Sequence, residues 1–495
     1  SILHPRSSTR LMTRRLVVVG GGITGLAAAH RALELAHERK IDLQVLILEA
    51  SQRLGGVIST RKIEGFLVED GPDGFITEKP WALELCARLG LSARLIPTGT
   101  SHRSVYVVRG GVLQPLPEGF FLMTPTRLAP VLRTPIFSWR GKARLALEPL
   151  IPRRREDSDE SLASFVRRRL GQEVLDRVAQ PLVGGIYGAD PEALSLAATL
   201  PRFLERERQS GSIIRAMRRE RRRRGTPKAA SGARYSLFVS FREGMQEIVD
   251  ALVSRLPQSA IGLGKKIVRL NFNGSERNWA LTQENEAIHA DGVIVATPAY
   301  SAAQLLAQAA PELSMRLKDI RYASTATVNL AYRREEVPHP LDAFGFVVPA
   351  IEKRSIMACT FSSVKYPGRA PHGFVLLRAF VGGALQAAEL ERDDAGIESE
   401  VRRELADLLA INAAPLFCQV SRYPRSMPQY RVGHLDLIRN IDGDLDHFPR
   451  LALAGGAYGG VGIPDCVRSG EKAAEKIVNE LQNACGSLSS EFLDG

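Results

Sequence analysis

The distribution of apolar residues predicts alternating strands and helices near the N-terminus. LVVV at residues 16–19 is a short β-branched run that ends in glycines, as a buried strand does. The residues after those glycines, ITGLAAAHRALELA, place apolar side chains at helical spacing. A second strand is predicted over LQVLILEA, which ends at Glu49 and Ala50. The order strand, glycine turn, helix, strand is typical of a βαβ unit with parallel strands.

Related patterns return much later in the chain. A strand is predicted at KKIVRL near Ile267, and a strand followed by a turn at ADGVIVATPAY. Close to the C-terminus, LALAGGAY predicts a strand and a glycine turn that lead into a helix. Between these parts, segments such as SLASFVRRRLG indicate helices, and alternating runs such as TATVNLAYR indicate strands of a mixed sheet. The pattern therefore predicts an α/β part, a helical part and a mixed-sheet part.

Length and composition limit the class of protein. A chain of 495 residues suggests two or three domains. Glycines interrupt the longest apolar runs, so no transmembrane helix is predicted. The five cysteines are scattered outside CxxC spacing and the nine histidines lack paired-ligand spacing, which predicts reduced thiols and no metal site. Residues 1–11 lack the apolar stretch of a signal peptide, and we expect either a native extension or an added segment before Met12.

Positive charge is concentrated in one segment. The net charge is +12, and residues 201–228 contain eleven Lys or Arg against three acidic residues. A solvated helix face followed by a loop would explain this segment, and so would a surface for anionic lipid or an acidic substrate. The sequence has no RRM, KH or helix-turn-helix pattern, and aromatic residues are not interleaved with the basic ones. Nucleic acid is therefore not expected as a partner.

The first glycine turn has the spacing of a dinucleotide-binding fingerprint. Gly20, Gly22 and Gly25 form GxGxxG between the predicted strand and helix, and Glu49 ends the second strand. In such a unit the glycines let a pyrophosphate approach the helix N-terminus, and the acid binds the ribose. A βα turn without a ligand would explain the glycines alone, but not the complete order with its terminal acid. Glu49 favours a ribose with a free hydroxyl over a phosphorylated one.

The residues after Glu49 favour FAD over a nicotinamide dinucleotide. EASQRLGG resembles the ExxxRxGG extension of flavoprotein oxidases, in which Arg53 would help neutralise the pyrophosphate and Gly55 and Gly56 would admit the flavin. VEDGPDGF supplies another glycine-flanked turn, Gly71–Gly74. The C-terminal glycine turn is expected to face the flavin ring, where a helix N-terminus would stabilise negative charge on the reduced ring. We therefore expect FAD as the cofactor.

Six stretches carry a more specific resemblance. They are GGGITGLAAA, EASQRLGG, VEDGPDGF, PLVGGIYGADPEALSL, SMPQYRVGH and GGVGIPDC. Together they resemble the FAD-dependent protoporphyrinogen and coproporphyrinogen oxidases of haem biosynthesis, over nearly the whole chain. GIYGAD and MPQYRVGH are the most specific of them, since amine oxidases and phytoene desaturases share only the FAD signatures. SMPQY and GIPDC favour the bacterial enzymes that accept coproporphyrinogen III.

The resemblance implies a particular reaction. A porphyrinogen, either protoporphyrinogen IX or coproporphyrinogen III, would lose six electrons in three two-electron steps, with O₂ as acceptor and release of H₂O₂. A cytoplasmic enzyme is expected, and attachment to the inner face of the cell membrane, a neighbouring haem-pathway enzyme and a homodimer are left open. Two other classes also remain open. One is another flavin oxidoreductase of the amine oxidase or carotenoid desaturase type, and the other is a non-catalytic basic binding module.

Pattern and resemblance together predict the fold class and three regions. The class is α/β with mixed α+β character, built on a two-dinucleotide-binding-type, Rossmann-like FAD domain. The predicted regions are the discontinuous FAD-binding domain at 12–80, 235–300 and 420–485, the mixed-sheet substrate-binding domain at 81–109 and 302–418, and a helical, membrane-associating domain at 110–226.

A set of residues is expected to line the FAD by resemblance. They are Gly20, Gly21, Gly22, Ile23, Thr24, Gly25, Glu49, Ala50, Arg53, Gly55, Gly56, Val57, Gly71, Pro72, Asp73, Gly74, Ile267, Tyr423, Gly456, Val461, Gly462 and Ile463. Tyr423 stands where relatives carry an aromatic residue, often tryptophan, near the adenine side.

Five residues are expected at the reacting substrate by resemblance. Gly185 would turn its backbone carbonyl to the tetrapyrrole, and Asp73 occupies a position that varies among relatives; both are candidate catalytic residues. Arg103 would pair with a propionate, Phe361 would stack on a pyrrole ring, and Val347 would contact the substrate. A surface arginine is the alternative for Arg103, and plain core packing is the alternative for Phe361. No His or Lys stands out as a base.

Overall fold

The glycine turns that begin at Gly20 and at Gly455 lie at one edge of a parallel sheet. A mixed sheet and a cluster of helices lie beside this sheet. The computed structural model describes residues 13–127, 129–156, 158–224, 238–284 and 286–491. The predicted extension 1–11 with Met12, and residues 225–228 at the end of the basic segment, lie outside the described residues.

The described residues form short strands and mostly short helices. The strands are β1 Arg14–Val19, β2 Leu43–Leu48, β3 Thr60–Ile63, β4 Phe66–Glu69, β5 Phe75–Ile76, β6 Leu95–Pro97, β7 Tyr106–Arg109, β8 Val112–Pro115, β9 Phe120–Phe121, β10 Thr124–Pro125, β11 Phe238–Phe241, β12 Ile261–Gly262, β13 Arg269–Asn273, β14 Asn278–Gln283, β15 Glu286–Ala290, β16 Gly292–Val295, β17 Tyr322–Arg333, β18 Gly345–Val347, β19 Ala358–Phe361, β20 Phe374–Gly382, β21 Phe417–Pro428 and β22 Leu451–Leu453. The α-helices are α1 Ile23–Arg39, α2 Trp81–Arg88, α3 Ala129–Arg133, α4 Trp139–Ala146, α5 Leu162–Arg169, α6 Gln172–Val174, α7 Gly185–Tyr187, α8 Leu196–Thr199, α9 Pro201–Ser210, α10 Ile213–Arg224, α11 Gln246–Ser254, α12 Ala299–Leu306, α13 Pro311–Asp319, α14 Ser362–Lys365, α15 Asp394–Leu409, α16 His434–Leu445 and α17 Ile463–Glu491.

A parallel sheet joins strands from distant parts of the chain. Its order is β12-β2-β1-β16-β22, and every neighbouring pair is parallel. Leu16 and Val18 of β1 pack in one core cluster with α1 and α17, whereas Val17 and Val19 pack in another with α12 and α13. This alternation follows from the two-residue period of a strand. Since carboxyl ends of parallel strands meet at one edge, the turns after β1 and β22 share that edge.

The helices that follow these two turns pack against each other. A Cβ at Gly470 of α17 would overlap the carbonyl oxygen of Thr24, so this close approach depends on glycine. Arg31 of α1 donates from Nε to Glu475 of α17 over 3.2 Å. The contact places the first turns of α17 beside the first turn of α1.

The second sheet is mixed. Its order is β21-β17-β20-β19-β18-β7-β8, and its pairs are antiparallel except β18 with β7. The predicted domain limit at 109/110 falls inside the β7–β8 hairpin, and the limit at 420 falls inside β21. Both elements belong to this sheet because hydrogen-bonded ladders, which periodicity alone does not locate, continue through those positions.

A third core lies among the helices α3–α10 and a π-helix at Leu175–Gly184. Among these helices the large side chain of Arg169 is fully buried, and its guanidinium pairs with the buried carboxylate of Glu148. Among the described residues, no helix combines the length and apolar character that crossing a bilayer requires. The predicted fold class, a Rossmann-like parallel sheet with a mixed sheet and a helical part, is confirmed.

Candidate cofactor and substrate site

The β1–α1 turn leads from the end of strand β1 into the N-terminus of helix α1. Gly20 has a φ of 108°, which favours glycine, and its N–H donates to the Leu48 carbonyl over 2.8 Å. Helix α1 begins after Gly22 without a side-chain cap and without an acidic residue in its first turn. A helix N-terminus of this kind attracts an anion through its free N–H groups and its dipole. The turn is therefore suited to a pyrophosphate.

Glu49 ends β2 beside this turn. Its Oε2 accepts from the Gly21 N–H at 2.7 Å, and its Oε1 accepts from the Ser51 N–H at 2.8 Å. Each carboxylate oxygen has a further lone pair, so the group can also accept from ribose hydroxyls. The two backbone bonds fix the carboxylate beside the glycine turn, as the predicted βαβ unit requires.

A second glycine turn lies against the first. Gly22 and Gly55 form a parallel bridge, and the Gly55 N–H donates to the Gly21 carbonyl over 2.8 Å. The Arg53 guanidinium donates to the carbonyls of Ile58, over 2.9 Å, and Gly56. In this structure Arg53 thus holds its own turn together, and its contact with a pyrophosphate stays a prediction.

Protein atoms pack closely against the backbone of the turn Gly71–Gly74. A Cβ at Gly71 would overlap the Val57 carbonyl oxygen, and the Tyr423 hydroxyl lies near the same position. The buried Arg378 donates to the carbonyl of Gly71. Burial raises the pKa of Tyr423 to about 12, so its hydroxyl stays protonated near neutral pH. The structure therefore brings Tyr423 to this turn, and its contact with the adenine side of the cofactor stays a prediction.

Asp73, in the same turn, forms a buried ion pair with Lys365. The Lys365 Nζ lies 2.9 and 2.8 Å from the two carboxylate oxygens. Burial alone would raise the pKa of Asp73, but Lys365 and the nearby Arg378 outweigh it, so this pKa lies below its ordinary value. The backbone carbonyl of Lys365 also accepts from the Gly99 N–H at 2.9 Å. Lys365 was not a predicted site residue, because FSSVKYP carries no motif that points to a lysine.

The C-terminal glycine turn approaches the site from β22. The Tyr430 hydroxyl donates to the Gly456 carbonyl, and the Gly455 N–H donates to the Ser469 hydroxyl over 2.9 Å. Asp465, in the first turn of α17, pairs with Lys79 at 2.6 Å. Together with the α1–α17 contact, these bonds hold the C-terminal glycine turn near the β1–α1 turn.

The remaining predicted cofactor residues lie in or beside these turns. Ile23, Thr24 and Gly25 form the buried first turn of α1, and Ile267 packs in the core cluster that contains Leu48. Ala50, Pro72, Val461, Gly462 and Ile463 follow or adjoin the positions described above, and Val57 is 47% exposed. The roles of all these residues in binding remain predictions.

A cavity of about 490 Å³ opens close to the C-terminal turn. Its wall includes Tyr430, whose hydroxyl bonds Gly456, and the strand start at Tyr322. A smaller cavity adjoins it, since both are lined by Ala189 and Ala384. Gly185 lies in the smaller one, where a Cβ would meet no atom within 4 Å. A volume of this size suits a small organic ligand.

The predicted substrate contacts are not all brought to these cavities. Arg103 is half-buried and donates from Nε to the Gly99 carbonyl over 3.1 Å. Val347 packs against the helical core. The Phe361 ring is 0% exposed and packs edge-on against Phe346. Phe361 is thus packed in the core of this structure, in agreement with the alternative of core packing, and its stacking on a pyrrole ring stays a prediction.

The described residues fit FAD. The uncapped N-terminus of α1 matches a pyrophosphate and Glu49 matches a ribose. In the C-terminal turn, a Cβ at Gly455 would meet no atom within 4 Å, so the backbone there is open to a close approach. Once bound, FAD supplies a two-electron acceptor. Fold and site define a flavin-dependent oxidoreductase.

Comparison with known proteins gives the family. The chain belongs to the family described as flavin containing amine oxidoreductase, whose model matches residues 23–478. It is 35% identical over 470 residues to the coproporphyrinogen III oxidase of Bacillus subtilis (strain 168), covering 94% of this chain and 98% of that protein. It is 30% identical to the protoporphyrinogen oxidase of Bos taurus, covering 96% and 100%. A crystal structure from Exiguobacterium sp. 255-15, provisionally named protoporphyrinogen oxidase, matches with a TM-score of 0.83 and 31% identity over 94% of this chain and 99% of that one.

Proposed function

We propose that the protein oxidises coproporphyrinogen III to coproporphyrin III in haem biosynthesis, and protoporphyrinogen IX less efficiently. The observation that carries this proposal is the 35% identity to a coproporphyrinogen III oxidase over almost the full length of both chains. Identity to the bovine protoporphyrinogen oxidase is lower, at 30%. The stretches SMPQY and GIPDC, which favour the enzymes that accept coproporphyrinogen III, agree with this difference in identity.

The proposed reaction removes six electrons and six protons from the porphyrinogen. Three O₂ accept them in three two-electron steps and leave as three H₂O₂, so atoms and electrons balance. The glycine turns and Glu49 bind and orient the cofactor. The two adjoining cavities, of which Gly185 lines the smaller, hold the macrocycle against mainly apolar walls. Gly185 is proposed to direct its carbonyl at the substrate, and Asp73 to act as an ionised carboxylate on the flavin side.

The test is a parallel steady-state assay with both porphyrinogens under air. We expect porphyrin fluorescence to appear with both, with the larger kcat/KM for coproporphyrinogen III, and three H₂O₂ per porphyrin. A monoamine serves as the comparison substrate for the amine oxidases of the same family. Turnover of the amine with neither porphyrinogen oxidised would contradict the proposal.

We also propose that the helical part attaches the protein to a membrane surface. Four exposed apolar residues lie on α3, on α4 and in the turn after it: Leu132, Trp139, Leu147 and Leu150. Trp139 is 74% exposed, and the Lys142 ammonium lies 4.5 Å from its ring centroid. Tryptophan beside basic residues is typical of a helix that lies at a lipid interface.

Sedimentation with phosphatidylglycerol vesicles tests this attachment. Trp139→Ser with Leu150→Ser should reduce the bound fraction at least fivefold, because both side chains would otherwise enter the acyl region. Met315→Ser, at another exposed apolar residue, should leave binding unchanged. Equal binding of all three proteins would count against attachment through this patch.

A further inference from the structure

Two exposed arginines line the larger cavity. Arg321 and Arg431 both line the cavity of about 490 Å³. Within the part of the chain that the structure describes, neither guanidinium forms a hydrogen bond, an ion pair or a ring contact. Arg103, in contrast, already donates to the Gly99 carbonyl and does not line this cavity.

The backbone holds the two arginines in fixed positions. The Gln429 N–H donates to the Arg321 carbonyl over 2.8 Å, and the Arg431 N–H donates to the Gln429 carbonyl over 3.0 Å. Arg321 immediately precedes β17, and Arg431 follows β21, which pairs with β17. The two guanidinium groups therefore start from neighbouring backbone positions, and their side chains are free to reach a ligand.

The rest of the wall is mainly apolar and leads to the cofactor turn. It includes Leu194, Leu390 and several alanines, and the buried Tyr430 links it by one hydrogen bond to Gly456. Two carboxylates also line the cavity. Asp190 accepts from the Glu192 N–H at 2.9 Å, whereas Glu391 is exposed. An apolar slot with two available guanidinium groups suits a flat apolar ligand with carboxylates at its rim.

We propose that Arg321 and Arg431 bind propionate groups of the tetrapyrrole at the mouth of this cavity. The inference rests on the proposed function and adds the carboxylate anchors to it. Guanidinium groups match carboxylates in a two-pronged geometry, which an ammonium cannot reproduce. Glu391, on the same wall, repels the same carboxylates and limits the affinity.

The test is steady-state kinetics of FAD-loaded protein with coproporphyrinogen III, together with fluorescence titration of coproporphyrin III. Arg321→Gln and Arg431→Gln should each raise KM about tenfold, as loss of a charged hydrogen bond does, with kcat nearly unchanged. The propionates stay ionised throughout, which is why binding and not turnover should suffer. The Kd of coproporphyrin III should rise in parallel. The lysine variants should recover part of the loss.

Two further variants separate local charge from general effects. Glu391→Gln should lower KM two- to threefold, because a like charge leaves the wall. Arg255→Gln, an exposed arginine at the end of α11, should change neither KM nor Kd. Thermal stability and flavin content should be equal in all variants, since neither cavity arginine has a side-chain partner among the residues that the structure describes.

The outcomes distinguish the anchors from the proposed function. If the parent oxidises coproporphyrinogen III and both glutamine variants keep its KM and Kd within twofold, the anchors are overturned alone. If Arg103→Ala raises KM and the glutamine variants of Arg321 and Arg431 do not, Arg103 and not the cavity arginines binds the propionate. If the parent oxidises no porphyrinogen, the proposed function fails and the anchors fail with it.

Discussion

At the residue scale, the Lys365–Asp73 pair shows how neighbours set the state of one carboxylate. Both side chains are largely buried, at 11% and 17% exposure. Removing one partner of such a pair leaves an uncompensated charge in a poorly solvated place. Since the folded-state pKa of Asp73 is lowered, the pair stabilises the fold at neutral pH, and this contribution is lost as the pH falls through that pKa.

We predict that Lys365→Met lowers the free energy of unfolding by about 3 kcal/mol at pH 7, the scale for breaking a buried pair. In the variant the pKa of Asp73 should rise, because the nearest positive charge is gone, so the deficit in unfolding free energy should shrink as the pH falls and the carboxylate becomes protonated. Urea unfolding between pH 4 and 8 measures both effects.

The double variant Lys365→Met with Asp73→Asn should recover most of this loss, because no charge is left unpaired. Lys62→Met, which removes the lysine of the exposed pair with Glu243, should have little effect. A deficit that is independent of pH and is not relieved in the double variant would mean that Lys365 acts through packing alone.

The Glu49 carboxylate gives a second prediction at this scale. Glu49→Gln should weaken FAD binding by about 1.5–3 kcal/mol, the value of a hydrogen bond to a charged group, and therefore at least tenfold. Refilled enzyme should keep near-normal turnover, since the ribose lies away from the reacting ring. FAD titration of apoprotein measures the Kd, with Glu38→Gln on α1 as a control. An unchanged Kd would show that Glu49 serves only the Gly21 and Ser51 N–H groups.

At the element scale, the contact between α1 and α17 positions both helix N-termini. Gly470 permits it, because any Cβ there would overlap the Thr24 carbonyl oxygen. We predict that Gly470→Ala lowers the free energy of unfolding by about 2 kcal/mol, as overpacking of a core contact does, and weakens FAD binding through the displaced turn.

Gly443→Ala is the matched control for Gly470→Ala. Gly443 also lies inside a helix, α16, but a Cβ there meets no atom within 4 Å. The same substitution should therefore stabilise the protein by about 0.5–1 kcal/mol through helix propensity. Thermal unfolding and FAD titration of the two variants decide the matter. Equal effects on stability would mean that the α1–α17 contact is not restrictive.

Elements at the cofactor turns could be predicted from sequence, whereas partners across the fold could not. The strand before Gly20, the helix after it and the acid at Glu49 follow one another within a few dozen residues, so spacing alone identifies them. Lys365 reaches Asp73 from almost 300 positions away, and the pairing of β17 with β21 brings the backbone of Arg321 near that of Arg431. Such contacts depend on sheet order, which periodicity does not determine. Burial of Phe361 depends on it in the same way.

At the scale of the whole molecule, one cofactor would join chain segments that are far apart in sequence. The parallel sheet takes β1 and β2 from the first part of the chain, β12 and β16 from the middle, and β22 from the end. The cofactor turns lie where these segments meet. A ligand that binds only the folded arrangement stabilises it in proportion to RT ln(1 + [L]/Kd).

We therefore predict that removal of FAD lowers the melting temperature and that its return raises it with concentration. At an FAD concentration of about 100 times the Kd, binding raises the free energy of unfolding by about 2.7 kcal/mol. For a protein of this size, that raises the melting temperature by a few degrees. The flavin should be held non-covalently, since no His or Cys of the sequence stands in a family linkage motif, and acid should release it into the supernatant. Scanning calorimetry of apoprotein titrated with FAD measures the shift, and Glu49→Gln should need at least tenfold more FAD to reach it. A melting temperature independent of FAD, or flavin that stays with the denatured chain, would contradict this account of how the separate segments are held.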